Sequence, residues 1–231
     1  MYRNVIFDLG GVVVDYNPRE FLVDHFMNEK LEDQLYEMTF GSQEWWMLDA
    51  DLITREEAHE IFRARGKEIG RSFEMDVILS DWVDMLKTRD DTVQLMKRLK
   101  KRGYRLYYLS NIPKDVLELM KQRKFWAMFD GGLASCRAKM NKPDPRIYLA
   151  LLYRYHLKPE ETIFLDDNRE NVEAARKLGI AGIHFRSLKH ALAQMIKLGV
   201  SFDKKAPPVN ADLPEQAPAA APLTPGDAGQ P

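Results

Sequence analysis

The run VIFDLGGVVVD, residues 5–15, ends a β-branched apolar stretch in a carboxylate, Asp8, and follows it with Gly10 and Gly11. A charge where a buried strand surfaces, beside residues without side chains, lets a backbone come close to a ligand. Three other places hold reactive groups: Ser110-Asn111 closing RLYYLSN, Lys142 ahead of two prolines in NKPDPRIY, and Asp166-Asp167 closing TIFLDD. Each alone has an ordinary explanation, since Asp at a strand end commonly caps a turn and Ser-Asn is a common turn pair. Their joint occurrence at strand ends that one parallel sheet would gather is what points to chemistry. Three carboxylates brought together repel one another and a divalent cation relieves that repulsion; hard oxygen ligands without His or Cys point to magnesium. A hydroxyl, a lysine and glycine-exposed amides around such an ion suit a phosphoryl group. Asp8, with an ordinary pKa of ~3.9, would be ionised and available as a nucleophile.

The elements that must position these groups are readable from periodicity. Short β-rich runs, NVIFD (4–8), RLYYLS (105–110), FDGGLAS (129–135), TIFLDD (162–167) and AGIHF (181–185), alternate with amphipathic segments. DDTVQLMKRLKKRG reads as a helix starting on an Asp cap and stopping at Gly103; NRENVEAARKLG opens at Asn168 and stops at Gly179; SLKHALAQMIKLG carries Leu188, Ala191, Leu192 and Met195 at helical spacing. Strand, helix, strand repeated in this way predicts an α/β fold with a Rossmann-like parallel sheet covered on both faces. Residues 16 to about 90 break the rhythm. They hold helical patterns only, among them PREFLVDHFMNEKLEDQLYEMTF and TREEAHEIFRARG, the latter opening with a Thr54–Glu57 capping box. That is too long for a crossover and reads as an inserted helical cap. The expected organisation is a core over 1–15 and 91–202, a cap over 16–90 and a tail over 203–231. The last 26 residues, APPVNADLPEQAPAAAPLTPGDAGQP, hold seven of the twelve prolines and no aromatic residue, so the tail is expected to be disordered.

Composition narrows the partners. With 34 Lys and Arg against 35 Asp and Glu, the net charge of −1 gives no reason to expect nucleic acid or an anionic membrane as partner. Cys136 stands alone, which precludes an internal disulfide and suggests a reducing, cytoplasmic setting. Asp8 comes too early for a signal peptide's apolar region, and no apolar stretch approaches the ~20 residues of a membrane helix. Five scattered histidines (25, 59, 156, 184, 190) lack metal-ligand spacing. Trp45 and Trp46, in GSQEWWMLDADLITREEA, would stack on a substrate or, more commonly for such pairs, pack against the core.

FDLGGVVVD, LSN, KPDPRIY and LDDNRENV resemble the four motifs of the haloacid dehalogenase-like hydrolases, over residues 2 to about 200. The form of the motifs resembles most closely the bacterial α-D-glucose-1-phosphate phosphatase-like group, and the helical insert resembles that family's type-one cap. The resemblance implies that Asp8 attacks phosphorus to form an aspartyl-phosphate, that Ser110 hydrogen-bonds the phosphoryl oxygens, and that Lys142 neutralises nucleophile and phosphate. It further implies that the Leu9 amide and Asn111 line the phosphate cup. Asp8, the Gly10 carbonyl and Asp167 would hold magnesium, with Asp166 binding it or orienting its waters. Asn171 stands where the fourth motif usually ends in an acid. The substrate would be a small phosphorylated metabolite, a sugar phosphate first among the options.

One feature departs from the family pattern. Its common form is Asp-x-Asp-Gly, whose second Asp protonates the leaving group and later activates water; this chain has Gly10 there. General acid–base assistance, worth ~10²–10⁴-fold, needs another source or a leaving group that does without it. Asp15, Asp49 and Glu44 are the candidate replacements. Two other functions stay open at this point: a metal-free haloacid dehalogenase, which the Asp166-Asp167 pair opposes, and a catalytically weak phosphate-binding or scaffold protein.

Overall fold

The computed structural model describes residues 1–202; the expected proline-rich tail, 203–231, lies outside the described residues. Five strands, β1 (Asn4–Phe7), β2 (Arg105–Ser110), β3 (Gly131–Ala134), β4 (Thr162–Asp166) and β5 (Ala181–His184), form one sheet in the order β3-β2-β1-β4-β5. Every neighbouring pair is parallel. Each strand falls within the expected run, trimmed by up to two residues at an end. The chain runs outward from β1 to β3 and then returns to β4 on the other side of β1, so its connectivity reverses there. That reversal opens a crevice at the carboxyl ends of the strands, where open α/β sheets take ligands. Phe7 pairs with Tyr108 and with Leu165, so Asp8, Ser110 and Asp166 emerge together along one edge.

The two-residue period of the strands sorts their side chains between two apolar layers. Val5, Phe7, Leu106, Ile163 and Leu165 join one cluster. Ile6, Tyr107, Leu109 and Phe164 join the other, with Ile147, Tyr148 and Leu151 of the helix Pro145–Arg154. A sheet buried on both faces explains why its strands read as continuous apolar runs.

The helices largely start and stop where the sequence signals them. Asn168 caps Arg169–Lys177 by accepting from the Glu170 amide, and Ser187 caps Leu188–Lys197 through the His190 amide. Gly103 and Gly179 follow their helices at φ +81 and +83. The Asp cap expected for Asp90–Lys101 is not there: Arg89 occupies the cap without a side-chain bond, and Asp90 and Asp91 lie in the first turn. Acids in the first turn still favour that end through the helix dipole.

Residues 18–81 hold five helices, Pro18–Phe26, Glu29–Met38, Gln43–Asp49, Arg55–Glu68 and Ser72–Asp81. The pattern over 18–40, which reads as one continuous helical stretch, is broken at Met27, which takes a left-handed φ of +46, and Asn28 restarts the chain by capping the next helix. The Thr54–Glu57 capping box forms as expected. The segment leaves and rejoins the core at one place, where Asp15 N donates to Lys87 O and Arg89 N to Val13 O, at 2.8 and 2.9 Å. Its apolar faces, including Phe40, Trp45, Phe62, Met75 and Trp82, continue into the same cluster as one face of the sheet. No helix among the described residues is long and apolar enough to cross a membrane.

Candidate active site

Lys142 organises the strand ends. Its side chain is almost wholly buried, and Nζ sits 2.9 Å from Asp8 Oδ2, 2.7 Å from Asp166 Oδ2 and 2.9 Å from the Leu109 carbonyl. The three donors of the ammonium are thereby matched to three acceptors, from the loop after β1, from β4 and from β2. Burial alone would lower the Lys142 pKa, but Asp166 and Asp8 more than offset that and hold it raised. The lysine is therefore a fixed cation.

Asp8 Oδ1 accepts from the Leu9 amide at 2.7 Å. Burial, with Asp166 and Asp167 adding to it, pushes the Asp8 carboxyl well above the usual range, against the pull of Lys142. Asp167 is pushed up to about 6, by burial first and Asp166 second. Three carboxylates served by one lysine are short of positive charge. The donor set suits a hard divalent cation: carboxylate oxygens of Asp8, Asp166 and Asp167 lie within 4.8 Å of one another. Two further features fit. The Asn171 Oδ1 is buried without a protein partner. Asp167 also reaches in over Gly11, where a Cβ would stand only 2.0 Å from Asp167 Oδ2, so the carboxylate uses space that only glycine leaves.

Asp166 and Asp167 differ despite being adjacent. Asp166 is fully buried and its oxygens are engaged: Oδ1 accepts from the Asn168 amide at 2.7 Å, Oδ2 from Lys142, and Asn171 Nδ2 donates to both at 3.1 and 3.2 Å. Asp167 is exposed to the crevice. Of the pair, Asp166 is taken up by the lysine and its neighbours, whereas the Asp167 carboxylate stays open to the crevice.

Asn111 is also placed differently from the expectation. Its amide exchanges two bonds with the Lys142 backbone, Nδ2 to the carbonyl at 2.9 Å and the Lys142 amide to Oδ1 at 2.8 Å. It lines the cavity, but its side chain is committed to pinning the lysine's loop. Ser110, also buried, stands beside it in the wall.

These groups form one end of a cavity of about 750 Å³ lying between the sheet edge and the helical segment. The rest of its wall is largely apolar and aromatic, with Phe40, Trp45, Trp82, Leu86, Val116 and Met120 prominent. Trp45 is buried in an aromatic cluster, its ring 4.5 Å from Phe40 and 4.9 Å from Trp82, while Trp46 lies half exposed at the rim. His184 reaches the cavity too, its Nε2 2.9 Å from the Asp167 carbonyl. Cys136 is buried and its thiol is pushed up to about 11, first by burial, consistent with a filler role.

At position 10 a side chain would be tight: a Cβ there would lie 3.3 Å from Tyr16 Cβ. Tyr16, which nothing in its sequence surroundings singles out, thus covers the place where the family pattern puts an acid. Of the three candidate replacements, Asp15 faces Arg89 at 3.7 Å and borders a different cavity. Glu44 is paired with Arg65 at 2.7 Å, and that hydrogen bond holds its carboxyl below the usual range. Asp49 alone of the three lines the cavity that holds Asp8.

A parallel sheet with an acid after its first strand, a buried lysine and an acid pair after its fourth defines a hydrolase of the α/β class. The chain belongs to the haloacid dehalogenase-like hydrolase family, whose model matches residues 2–179. It is 30% identical over 199 residues to a sesquiterpene phosphatase of Aspergillus oryzae, covering 85% of this chain and 95% of that protein. It is 26% identical over 187 residues to a phosphorylated carbohydrates phosphatase of Thermotoga maritima, covering 78% and 83%. Among solved structures, a HAD family enzyme of Bacteroides thetaiotaomicron in complex with magnesium and inorganic phosphate matches at TM-score 0.62, with 25% identity over 79% of this chain and 93% of that one. The fold is also that of L-2-haloacid dehalogenase from Xanthobacter autotrophicus, at TM-score 0.58 and 18% identity over 87% and 85%.

Proposed function

We propose that the chain is a magnesium-dependent phosphatase that hydrolyses a small phosphorylated metabolite through an aspartyl-phosphate on Asp8. The observation carrying this reading is the Lys142 ammonium clamped between Asp8 and Asp166, with Asp167 open to the crevice on the other side. Asp8 Oδ attacks phosphorus while Lys142 and the Leu9 amide hold it in place. Ser110 hydrogen-bonds the phosphoryl oxygens, and Asn111 fixes the loop that carries Lys142. Water then regenerates Asp8. Asp8, Asp167 and the Gly10 carbonyl would hold magnesium, with Asp166 and Asn171 around them; when bound, the ion supplies charge neutralisation for the carboxylates and the phosphoryl group. The helical segment over 16–90 acts as a cap that excludes water from the crevice.

A sugar phosphate is the first substrate class to try, supported by the carbohydrate phosphatase relative. The cavity wall favours a second class. Phe40, Trp45, Trp82, Leu86, Val116 and Met120 offer little to hydroxyl groups and much to hydrocarbon. With a sesquiterpene phosphatase among the relatives, a monophosphate ester of an apolar alcohol is the alternative. The test is p-nitrophenyl phosphate turnover with magnesium, followed by a panel holding hexose phosphates and prenyl monophosphates. The reading predicts chelator-sensitive turnover that Asp8→Asn lowers on the order of 10⁴-fold or more. Turnover indifferent to the chelator or to Asp8→Asn would overturn it.

A further inference from the structure

A phosphatase whose substrate leaves as an alkoxide needs an acid at the departing oxygen, and the loop after β1 offers none at Gly10. The space above Gly10 is taken by Tyr16, which lines the same cavity as Trp45 and Asp49. Asp49 ends the helix Gln43–Asp49 and lines the same cavity as Asp8, Ser110 and Lys142. Its position is fixed by the core. The Asp49 carbonyl accepts from Ser135 Oγ at 2.5 Å, the Trp46 carbonyl accepts from Asn141 Nδ2 at 2.7 Å, and Lys139 Nζ is paired with Asp51. Asn141 is the residue before Lys142, so one loop holds both the lysine and the end of this helix. Among the described residues, no hydrogen bond or ion pair engages the Asp49 carboxylate. Asp15 and Glu44 are each occupied with an arginine.

We infer that Asp49 is the general acid and base of the reaction, supplying from the helical segment the function that Gly10 cannot. The inference rests on the phosphatase reading above. In the first step a lone pair of Asp8 Oδ forms the bond to phosphorus. The bond from phosphorus to the leaving oxygen breaks, its electron pair goes to that oxygen, and the Asp49 proton joins it, releasing a neutral alcohol and an Asp49 carboxylate. In the second step the carboxylate takes a proton from water as the water oxygen bonds to phosphorus. The bond from Asp8 to phosphorus breaks with its pair returning to Asp8, freeing inorganic phosphate.

The surroundings suit an acid of this kind. Burial pushes the Asp49 carboxyl up to about 7 against the pull of Arg55 and Lys142, with Asp115 adding slightly to the rise. Arg55 is itself held by Asp115 through two bonds of 2.9 and 3.0 Å; among the described residues Tyr16 and Cys136, each pushed further up by Asp49, are the other titratable groups that feel its charge. A carboxyl with its pKa near the working pH can both give and take a proton.

The test compares two leaving groups of similar size, benzyl phosphate, which departs as an alkoxide, and p-nitrophenyl phosphate, which departs as a stable phenolate. Single-turnover release of the alcohol is measured by rapid quench on wild type and Asp49→Asn. Asp49→Asn is expected to slow benzyl alcohol release about 10²-fold or more while p-nitrophenolate release stays within a factor of about three. Asp49→Glu should recover part of the loss, and Asp15→Asn and Glu44→Gln should leave both rates unchanged. Equal slowing for both leaving groups, or slowing of neither, overturns the assignment. Should Asp49→Asn not fold, the wild type decides: benzyl alcohol release is expected to fall as pH rises through about 7, where Asp49 loses its proton, and p-nitrophenolate release to lack that limb. Matching pH profiles overturn it. Wild-type p-nitrophenyl phosphate turnover that is absent, or indifferent to Asp8→Asn, would instead strike the phosphatase reading itself.

Discussion

Lys142 sits where three strand ends converge, and most of the site's geometry follows from what it touches. Removing its charge leaves Asp8 and Asp166 buried without a counterion, which costs about 3–5 kcal/mol for a broken buried pair. Lys142→Met is therefore expected to lower the midpoint of urea unfolding strongly as well as abolish turnover, and an unchanged midpoint would contradict the bridging role. The two acids after β4 should separate in the same kind of experiment. Asp167→Asn is expected to raise the magnesium needed for half-maximal activity at least about tenfold, since a carboxylate facing the crevice is lost. Asp166→Asn should lower kcat with a smaller change in magnesium demand, because its oxygens hold Lys142; titrating activity against magnesium for both variants checks this. The positions of Asp8, Ser110, Lys142 and the acid pair were legible in the sequence because each closes a strand or precedes a proline that fixes its loop. The duties of Asn111 and Asp166 were not. Their partners are a backbone 31 residues away and a lysine 24 residues away, and residue type alone cannot show which bonds an amide or a carboxylate has already made.

At the scale of elements, the loop after β1 is fitted closely against the acid pair at Gly11. Gly11 has φ +69 and leaves no room for a Cβ beside Asp167. Gly11→Ala is expected to cost about 1–2 kcal/mol from the left-handed backbone alone and to displace Asp167 as well. Thermal unfolding and magnesium titration together test it; normal magnesium demand in a destabilised variant would show that Asp167 does not depend on the space. The strands could be read because a sheet buried on both faces demands unbroken apolar runs. The helical segment was legible as helix but not in its breaks: Met27 turns left-handed within a pattern that otherwise continues, and the local sequence carries no Gly to mark it. How the segment meets the core was also hidden, since Asn141 and Ser135 bond to carbonyls that any residues at 46 and 49 would present.

For the whole molecule, the site's surplus of negative charge couples folding to pH and to metal. Asp167 holds its proton to about 6 in the folded chain against 3.8 ordinarily, so over that interval the folded state binds a proton the unfolded state has released. Stability of the metal-free protein is thus expected to fall as pH rises across that window, with Asp8 acting in the same direction. Magnesium needs the ionised carboxylates, so its stabilisation should be greatest above the window, reaching about 2.7 kcal/mol at a hundredfold excess over its dissociation constant. Melting curves against pH, with magnesium and with chelator, measure both slopes. A melting temperature that rises with pH in chelator would contradict the charge balance described. The most direct test of the account is to quench the wild-type protein with acid during turnover of p-nitrophenyl phosphate and map the phosphorylated residue by mass spectrometry. One acid-stable, hydroxylamine-labile phosphoryl group is expected, on Asp8. A phosphoryl group on any other residue, or turnover with no covalent adduct at any quench time, would contradict it.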